Sequence, residues 1–218
     1  MITQEGRIND RFSWLNRPRQ QPKVENGRLQ LTTDPNTDFW QGTHYEFRRD
    51  NGHCLLTSVT SDFSLTVRAE YEPQLQYDQC GLIVRADSWN WIKASTEYEV
   101  NEPSRVGSVV TNRGWSDWAT RDDSSGFKIR WYRVRSRIGS NLKDFKIEYS
   151  DLIEPAEDKD WIQLRIAHLH GDFARLSVGI YACSPNPNKE NNGFNAIFDN
   201  VSLEDSDLRK PDPPKANK

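Results

Sequence analysis

The fold is decided by residues 89–100, which read WNWIKASTEYEV. From Ile92 onward, mainly apolar side chains alternate with charged or polar ones, and this period of two is typical of a β-strand. Successive side chains of a strand point to opposite faces. One face carries Ile92, Ala94, Thr96, Tyr98 and Val100, and the other carries Trp91, Lys93, Ser95, Glu97 and Glu99. We therefore predict a packed core face and an open face on which an aromatic platform stands beside charged groups.

The same alternation predicts strands along most of the chain. They are expected at 63–71, 77–86, 90–100, 105–112, 127–138, 143–149, 161–168, 174–182 and 194–203. Residues 155–159 have a helix-like composition. Because Ile162, Leu164 and Ile166 then fall at every second position, the pattern favours a loop followed by a strand.

Two Asn-Gly pairs predict tight turns. Both residues of such a pair tolerate positive φ, as a type I′ hairpin requires. Asn26-Gly27 is expected to join strands at 23–25 and 28–31, and Asn51-Gly52 to join strands at 45–48 and 53–56.

These elements predict an all-β protein of about a dozen strands. Parallel sheets need long crossover connections, which this pattern does not offer, so an antiparallel sandwich or barrel is expected. A chain of 218 residues is within the range of one such domain. We place that domain at 1–204. Residues 205–218 are charged and rich in proline, and they predict a disordered tail.

Composition excludes several classes of function. The net charge of −3 argues against a protein that coats nucleic acid. No apolar run approaches the roughly 20 residues that a membrane helix needs, and the first residues do not resemble a signal peptide, so we expect no membrane contact and a cytoplasmic location. In that compartment Cys54, Cys80 and Cys183 are expected to be reduced, buried thiols.

Basic and histidine residues give no sign of a phosphate or metal site. The run Lys128, Arg130, Arg133, Arg135 and Arg137 predicts a solvated strand face in preference to a phosphate site. His168 and His170 share one strand face but lack further ligands at a suitable spacing, so no metal is predicted. Phosphate-binding loops, dinucleotide fingerprints and nucleophile elbows are absent, and no cofactor is expected.

The open strand face supplies the candidate binding residues. A row of aromatic and hydrogen-bonding side chains on one face of a sheet suits a polar ligand such as a sugar. Neighbouring strands add further tryptophans and polar groups, so the predicted ligand-binding residues are Gln79, Trp91, Lys93, Glu97, Thr111 and Trp118. Further candidates are Trp40, His44, His53 and Arg85. The two histidines flank the turn at 50–52 and face each other across it in this prediction, and they are expected to hydrogen-bond the turn or a neighbouring strand rather than a metal.

Paired carboxylates raise the alternative of catalysis. Glu97 and Glu99 would lie about 6.6–7 Å apart on one strand, near the lower limit for an inverting glycosidase. Lys93 beside them is expected to depress a carboxyl pKa, which is the wrong direction for a general acid. The residues therefore favour binding over catalysis, and no catalytic residue is assigned.

Several motifs together resemble a known family. They are 37–45 (TDFWQGTHY), 50–53 (DNGH), 77–85 (YDQCGLIVR), 91–98 (WIKASTEY) and 109–118 (VVTNRGWSDW), and they occur in the order of the domain-of-unknown-function family labelled regulation of enolase, DUF1349. The resemblance spans about residues 10–203. It implies a concanavalin A-like β-sandwich, or jelly roll, with one concave sheet. Glu46 and Cys80 depart from the family's pattern, which has smaller residues there.

The family resemblance implies no particular activity, but its label implies a cytoplasmic role near carbohydrate metabolism. Combined with the open face, this predicts a protein that binds a carbohydrate or sugar-derived ligand on the concave face, with a regulatory role. Two alternatives stay open. One is an adaptor that binds a protein partner, such as a metabolic enzyme, and the other is a glycoside hydrolase or lyase of the glucanase type. The sequence leaves the identity of the ligand and the oligomeric state open.

Deleting residues 206–218 is expected to leave the melting temperature nearly unchanged, because this segment has almost no apolar area to bury. Thermal unfolding of the full chain and of the truncated chain, followed by circular dichroism, tests this. A drop of more than a few degrees would contradict it.

Overall fold

Strands form nearly all of the regular structure. The computed structural model describes residues 1–2, 6–123, 125–126, 128–137, 139–187 and 193–205. The strands are β1 (Ser13–Leu15), β2 (Lys23–Glu25), β3 (Arg28–Thr32), β4 (Phe39–Gln41), β5 (Arg48–Asp50), β6 (His53–Val59), β7 (Phe63–Glu72), β8 (Gln79–Arg85), β9 (Trp91–Glu97), β10 (Ser104–Asn112), β11 (Trp115–Asp123), β12 (Ile129–Ser136), β13 (Asp144–Ser150), β14 (Ile162–His168), β15 (Leu176–Cys183) and β16 (Asn195–Asp205). Helical structure in these ranges is confined to one 3-10 turn, Asp158–Asp160, and none of it has the length and apolarity of a membrane span.

The strands form two seven-stranded sheets and one small ribbon. The first sheet has the order β1-β6-β15-β8-β9-β10-β11, and the second has the order β14-β13-β12-β7-β16-β3-β2. Neighbouring strands pair antiparallel. Ile92 and Ala94 of the first sheet belong to one buried cluster with Val67 and Phe198 of the second. The prediction of an all-β antiparallel sandwich is confirmed.

The first predicted hairpin is confirmed and the second is wrong. Asn26 and Gly27 have φ of 52° and 74°, and they join β2 to β3. In contrast, β5 pairs with β4, while β6 pairs with β1 and β15. The amides of Asn51 and Gly52 donate to the carbonyl of Asp38. A Cβ on Gly52 would lie 2.3 Å from the Phe39 ring, so close packing explains this glycine. The chain thus passes from the β4–β5 ribbon into the first sheet instead of folding back.

Residues 155–159 lead into strand β14, as predicted, although Asp158–Asp160 form a 3-10 turn. The basic run is only partly a solvated face. Arg133 and Arg135 both form ion pairs with Glu148, which is 1% exposed. Arg130 is buried, where its guanidinium contacts Asp123 and Asp151. The prediction of a solvated face is therefore wrong for Arg130, because alternation along β12 turns it toward the opposite sheet.

The three cysteines are free and buried, as predicted. Burial raises the pKa of each thiol. Cys80 packs between the two sheets, whereas Cys54 and Cys183 lie on the opposite face of the first sheet. The predicted tail lies outside the described residues from 206 onward, and the assignment of one domain to 1–204 stays a prediction.

The outer face of the first sheet carries a second buried cluster. Phe39 from β4 packs edge-on against Trp91 and Tyr181, with ring centroids 5.9 and 6.1 Å apart. The β4–β5 ribbon therefore covers this face, and Trp91 has no exposed surface. Arg85 helps to hold the ribbon, because its guanidinium donates two hydrogen bonds of 2.6 Å to the Asp50 carboxylate. The predicted core face is right for Ile92 and Ala94, but β9 ends at Glu97 and Val100 is 43% exposed. The prediction that Trp91 stands on an open face is wrong.

Replacing Trp91 with Ala is expected to destabilise the protein by about 3–5 kcal/mol, because it removes a large ring from a closed cluster. Trp115→Ala is the matched control, since that side chain is 60% exposed, and it should cost less than about 1 kcal/mol. Urea unfolding of both variants measures the difference. Equal losses of stability would contradict the assignment of Trp91 to the core.

Candidate functional site

A pocket opens beside the β4–β5 ribbon on the outer face of the first sheet. Its volume is about 420 Å³. Five aromatic side chains line it, namely Trp40, Tyr45, Phe47, Tyr77 and Trp118. The polar lining consists of Asp38, Arg49, Gln79, Lys93, Glu97 and Glu99, together with Asn186. Aromatic walls around a few convergent polar groups are typical of a small-molecule site.

The loop at the tip of the ribbon builds one wall. Its turn requires left-handed backbone at Gly42, His44 and Glu46, with φ of 71°, 64° and 63°. The amide of Gly42 donates to the carbonyl of Phe47 at 2.9 Å, which closes the loop. This geometry brings Tyr45 against Trp40, with ring centroids 5.4 Å apart. The loop therefore presents Tyr45 and Phe47 to the pocket.

Gln79 organises the polar floor. Its amide nitrogen donates to the Glu97 carboxyl at 2.6 Å and to the carbonyl of Tyr77 at 3.1 Å. Its amide oxygen accepts from the Lys93 ammonium at 2.9 Å and from the Tyr181 hydroxyl at 3.1 Å. Two donors and two acceptors are the full capacity of the side chain. Gln79 therefore positions Lys93 and Glu97.

The acid–base state of Glu97 differs from the prediction. Burial raises its pKa to about 8, and nearby Asp38 and Glu99 add to the rise, while Lys93 and the hydrogen bond from Gln79 oppose it. Lys93 lowers this pKa, as expected, but desolvation outweighs the ammonium, so the net shift of the pKa is upward. Glu97 is mainly protonated at pH 7. Since Gln79 donates to Oε2, a proton on Oε1 gives each carboxyl oxygen its own role, one as acceptor and one as donor.

The remaining charges of the pocket balance. Asp38 Oδ1 accepts from the amide of Phe39 at 2.7 Å and lies 3.7 Å from the Lys93 ammonium. Glu99 accepts from the Gln76 amide at 2.8 Å, and Arg49 donates to the carbonyl of Pro185 at 3.2 Å. The two cations, Arg49 and Lys93, balance the two carboxylates, Asp38 and Glu99, when Glu97 is neutral. The pocket is thus suited to a ligand without net charge.

The structure brings together five of the ten predicted site residues: Trp40, Gln79, Lys93, Glu97 and Trp118 all line the pocket. Trp91 lies beneath it, with its ring centroid 6.0 Å from the Lys93 ammonium. Thr111 is fully buried, and its hydroxyl lies 2.7 Å from that of Ser116. Neither Trp91 nor Thr111 lines the pocket, so both predicted ligand contacts are replaced by structural roles.

The other three candidates lie outside the pocket. Arg85 is bonded to Asp50, and His44 is exposed with its ring beside Tyr45. His53 is 2% exposed, and its Nε2 accepts a hydrogen bond of 2.8 Å from the backbone amide of Asp34. The two histidines do not face each other across the turn at 51–52. The reason is that β5 and β6 belong to different sheets.

A second, more open cavity of about 430 Å³ lies at His53. Its walls include Asn16, Arg19 and Asp34, and no aromatic ring other than the buried imidazole. His168 is bonded to Asp144 at 2.7 Å. Within the described ranges, no group of three or more His, Cys, Asp or Glu side chains is placed to hold a metal. The aromatic pocket therefore remains the candidate site.

Sequence reasoning missed several residues of the pocket. Asp38, Tyr45 and Tyr77 stand within motifs that carried the family resemblance, so a signal was present for them. Phe47 falls in the strand predicted at 45–48 but lies in the loop before β5, whereas Arg49 falls between the predicted strands and lies in β5. Pro185 and Asn186 follow β15, where only tertiary structure brings them near β8 and β9.

The two seven-stranded antiparallel sheets define an all-β sandwich protein, with the candidate pocket on the outer face of the first sheet. The sequence profile described as "Protein of unknown function (DUF1349)" matches residues 14–206, and the chain belongs to this family. The family resemblance of the motifs is thereby confirmed.

Relatives extend over most of the chain. Regulation of enolase protein 1 of Saccharomyces cerevisiae is 35% identical over 191 residues, which are 88% of each chain. A solved structure described as a functionally unknown protein from Saccharomyces cerevisiae has a TM-score of 0.75 at 32% identity, over 89% of this chain and 96% of that one. The GH43 protein BlXynB of Bacillus licheniformis has a TM-score of 0.64 at 16% identity, over 89% of this chain and 36% of that one. This last likeness concerns the fold alone.

The raised pKa of Glu97 predicts a pH-dependent stability. The folded protein retains this proton up to about pH 8, whereas the unfolded chain loses it near the ordinary value of 4.5. The free energy of unfolding should therefore fall as pH rises between these values. Glu97→Gln keeps a neutral side chain, so the variant should match the wild type near pH 5 and exceed its stability at pH 9. Denaturant unfolding at the two pH values measures this. A difference between the proteins that is independent of pH would contradict it.

Proposed function

We propose that the aromatic pocket binds a neutral carbohydrate or sugar-derived ligand. The observation that carries this proposal is the convergence of five aromatic rings and a charge-balanced set of hydrogen-bonding groups on one cavity. A sugar ring has apolar C–H faces and hydroxyl edges, and it needs both kinds of surface at once. The ligand is held in this proposal by ring contacts from Trp118 and Tyr45 and by hydrogen bonds from the floor.

The floor offers both donors and acceptors. Lys93 carries ammonium hydrogens in addition to the one given to Gln79, and protonated Glu97 offers an O–H donor at Oε1. Asp38 and Glu99 supply acceptors. Because Gln79 fixes Lys93 and Glu97 before the ligand arrives, little ordering is needed on binding. The volume of about 420 Å³ lies within the range of small-molecule pockets.

The shape of the site favours a small ligand over a protein partner. A protein interface would present a broad and rather flat apolar patch, whereas these aromatic rings surround a cavity. A regulatory role in metabolism is part of the proposal, and the name of the yeast relative, Regulation of enolase protein 1, motivates it. A cytoplasmic location is also part of the proposal, and the three free thiols support it.

Glycosidic bond cleavage is a second candidate function. One observation favours it: Glu97 combines a raised pKa with a place beside Glu99 in the same pocket. In such a reaction Glu97 would protonate the leaving oxygen while Glu99 activates water. Release of reducing ends from oligosaccharides, lost in Glu97→Gln, would support it. Binding of an oligosaccharide that is recovered intact would exclude cleavage of that substrate.

A thermal-shift screen with neutral mono- and oligosaccharides, followed by calorimetric titration, tests binding. Ligand at 100 times its dissociation constant should add about 2.7 kcal/mol of stability. Trp118→Ala and Lys93→Met should each weaken binding by about 1–2 kcal/mol. Trp115→Ala is the matched control and should leave binding unchanged, because Trp115 does not line the pocket.

Binding should also weaken as pH rises through about 8, since Glu97 then loses its donor proton. Glu97→Gln retains an N–H donor, so its affinity should vary less with pH. The proposal is overturned if no neutral saccharide stabilises the protein. It is likewise overturned if Trp118→Ala and Trp115→Ala affect binding equally.

A further inference from the structure

A second polar–aromatic cluster lies on the ribbon, apart from the pocket. The Arg48 guanidinium carbon lies 5.0 Å from the centroid of the Trp115 ring and 5.6 Å from that of Trp89. These distances are within the range of cation–π attraction. Arg48 is thus held between two tryptophans.

The cluster is fixed before any ligand binds. Arg48 Nη1 donates to the carbonyl of Gly114 at 2.6 Å and to the Gln41 amide oxygen at 3.2 Å. A Cβ on Gly114 would lie 2.3 Å from the Trp89 ring, and one on Gly42 would lie 2.9 Å from Arg48. Both glycines have positive φ. Close backbone packing therefore sets the position of Trp89 and Arg48.

Arg48 differs from most arginines of the sandwich in having no acidic partner. In the described part of the chain, no carboxylate forms an ion pair with it, whereas Arg68, Arg105, Arg133 and Arg135 each have at least one acidic partner. Its two internal hydrogen bonds both use Nη1. The hydrogens on Nε and Nη2 have no acceptor among the described residues. A guanidinium with this fork of donors matches the geometry of a carboxylate or phosphate.

The flanking tryptophans remain accessible. Trp89 is 51% exposed and Trp115 is 60% exposed. Large aromatic surface left in water next to an unpaired cation suits a ligand that has an anionic group attached to an apolar face. Neither Trp89 nor Trp115 lines the aromatic pocket.

We propose that Arg48, held between Trp89 and Trp115, forms a second binding site, which takes a carboxylate or phosphate group of an acidic ligand. The site is separate from the pocket, although both use the ribbon. Trp40 pairs with Arg49 and Gln41 pairs with Arg48. The first pair lines the pocket, and the second pair belongs to the cluster. The two sites can therefore be tested independently.

The test follows the indole N–H signals of the eight tryptophans by nuclear magnetic resonance. Substitution of single tryptophans by Phe assigns the signals. Inorganic phosphate and sodium glucuronate are the probes, and glucose is the neutral counterpart of glucuronate. We expect saturable shifts of the Trp89 and Trp115 signals with at least one anion and none with glucose. A response to phosphate alone identifies a phosphate site, and a response to glucuronate alone identifies a carboxylate site.

Variants separate this site from general charge effects. Arg48→Gln should raise the dissociation constant about fivefold or more, and Arg48→Lys should restore only part of the affinity, because it lacks the fork. Arg121→Gln is the matched control, since that arginine lies on β11, the strand that carries Trp115, and its guanidinium carbon lies 5.9 Å from the centroid of the Tyr149 ring. It should leave the shifts unchanged. Circular dichroism melts show whether each variant is folded.

The inference is overturned if neither anion shifts the two signals in the folded wild type, or if Arg121→Gln weakens the response as much as Arg48→Gln does. Shifts of the Trp40 and Trp118 signals report on the aromatic pocket instead. Failure of one site is thus visible apart from failure of the other.

Discussion

The functional face of this protein depends on the contact between Phe39 and the rings of Trp91 and Tyr181. That contact fastens the short β4–β5 ribbon onto the outer face of the first sheet, with the bidentate bond of Arg85 to Asp50 as a second attachment. Without the ribbon, the outer face of the first sheet would be exposed to solvent and would have no walls. With the ribbon in place, the first sheet forms the floor of the pocket, and the ribbon and its loop form walls. The pocket is then deep enough to surround a small ligand. The candidate pocket is a product of this covering and of the polar row beneath it.

Desolvation by the same covering determines the chemistry of the floor. Lys93 is 3% exposed and Gln79 is 2% exposed. At such burial, every hydrogen-bonding group needs a partner. The network meets that demand by joining Lys93, Gln79 and Glu97 in sequence, and it does so with Glu97 protonated, which removes one negative charge from a crowded site. Burial beneath the ribbon therefore explains both why the polar side chains are fixed by hydrogen bonds and why the pocket has no net charge.

Much of the fold could be predicted from the sequence, because period-two alternation is a local property. It identified the strands around Ile92 and the hairpin at Asn26-Gly27. Alternation assigns residues to two faces but does not say whether a face is covered, and this explains the error at Trp91. The residues of β8 are all buried, on both faces, because the first sheet lies between the second sheet and the ribbon. The position of the ribbon depends on contacts between segments far apart in the chain, such as Phe39 with Tyr181, and no local pattern encodes them.

The hydrogen bonds of Gln79 have a consequence for what this position can accept. The side chain must donate twice and accept twice within one short planar group. Glutamate in its place would have no donor for Glu97, and asparagine would be shorter by one methylene group. Leucine or methionine would fill the volume, but they would leave the Lys93 ammonium and the Tyr181 hydroxyl without their acceptor. Position 79 therefore requires both the amide donors and the amide oxygen of a glutamine side chain.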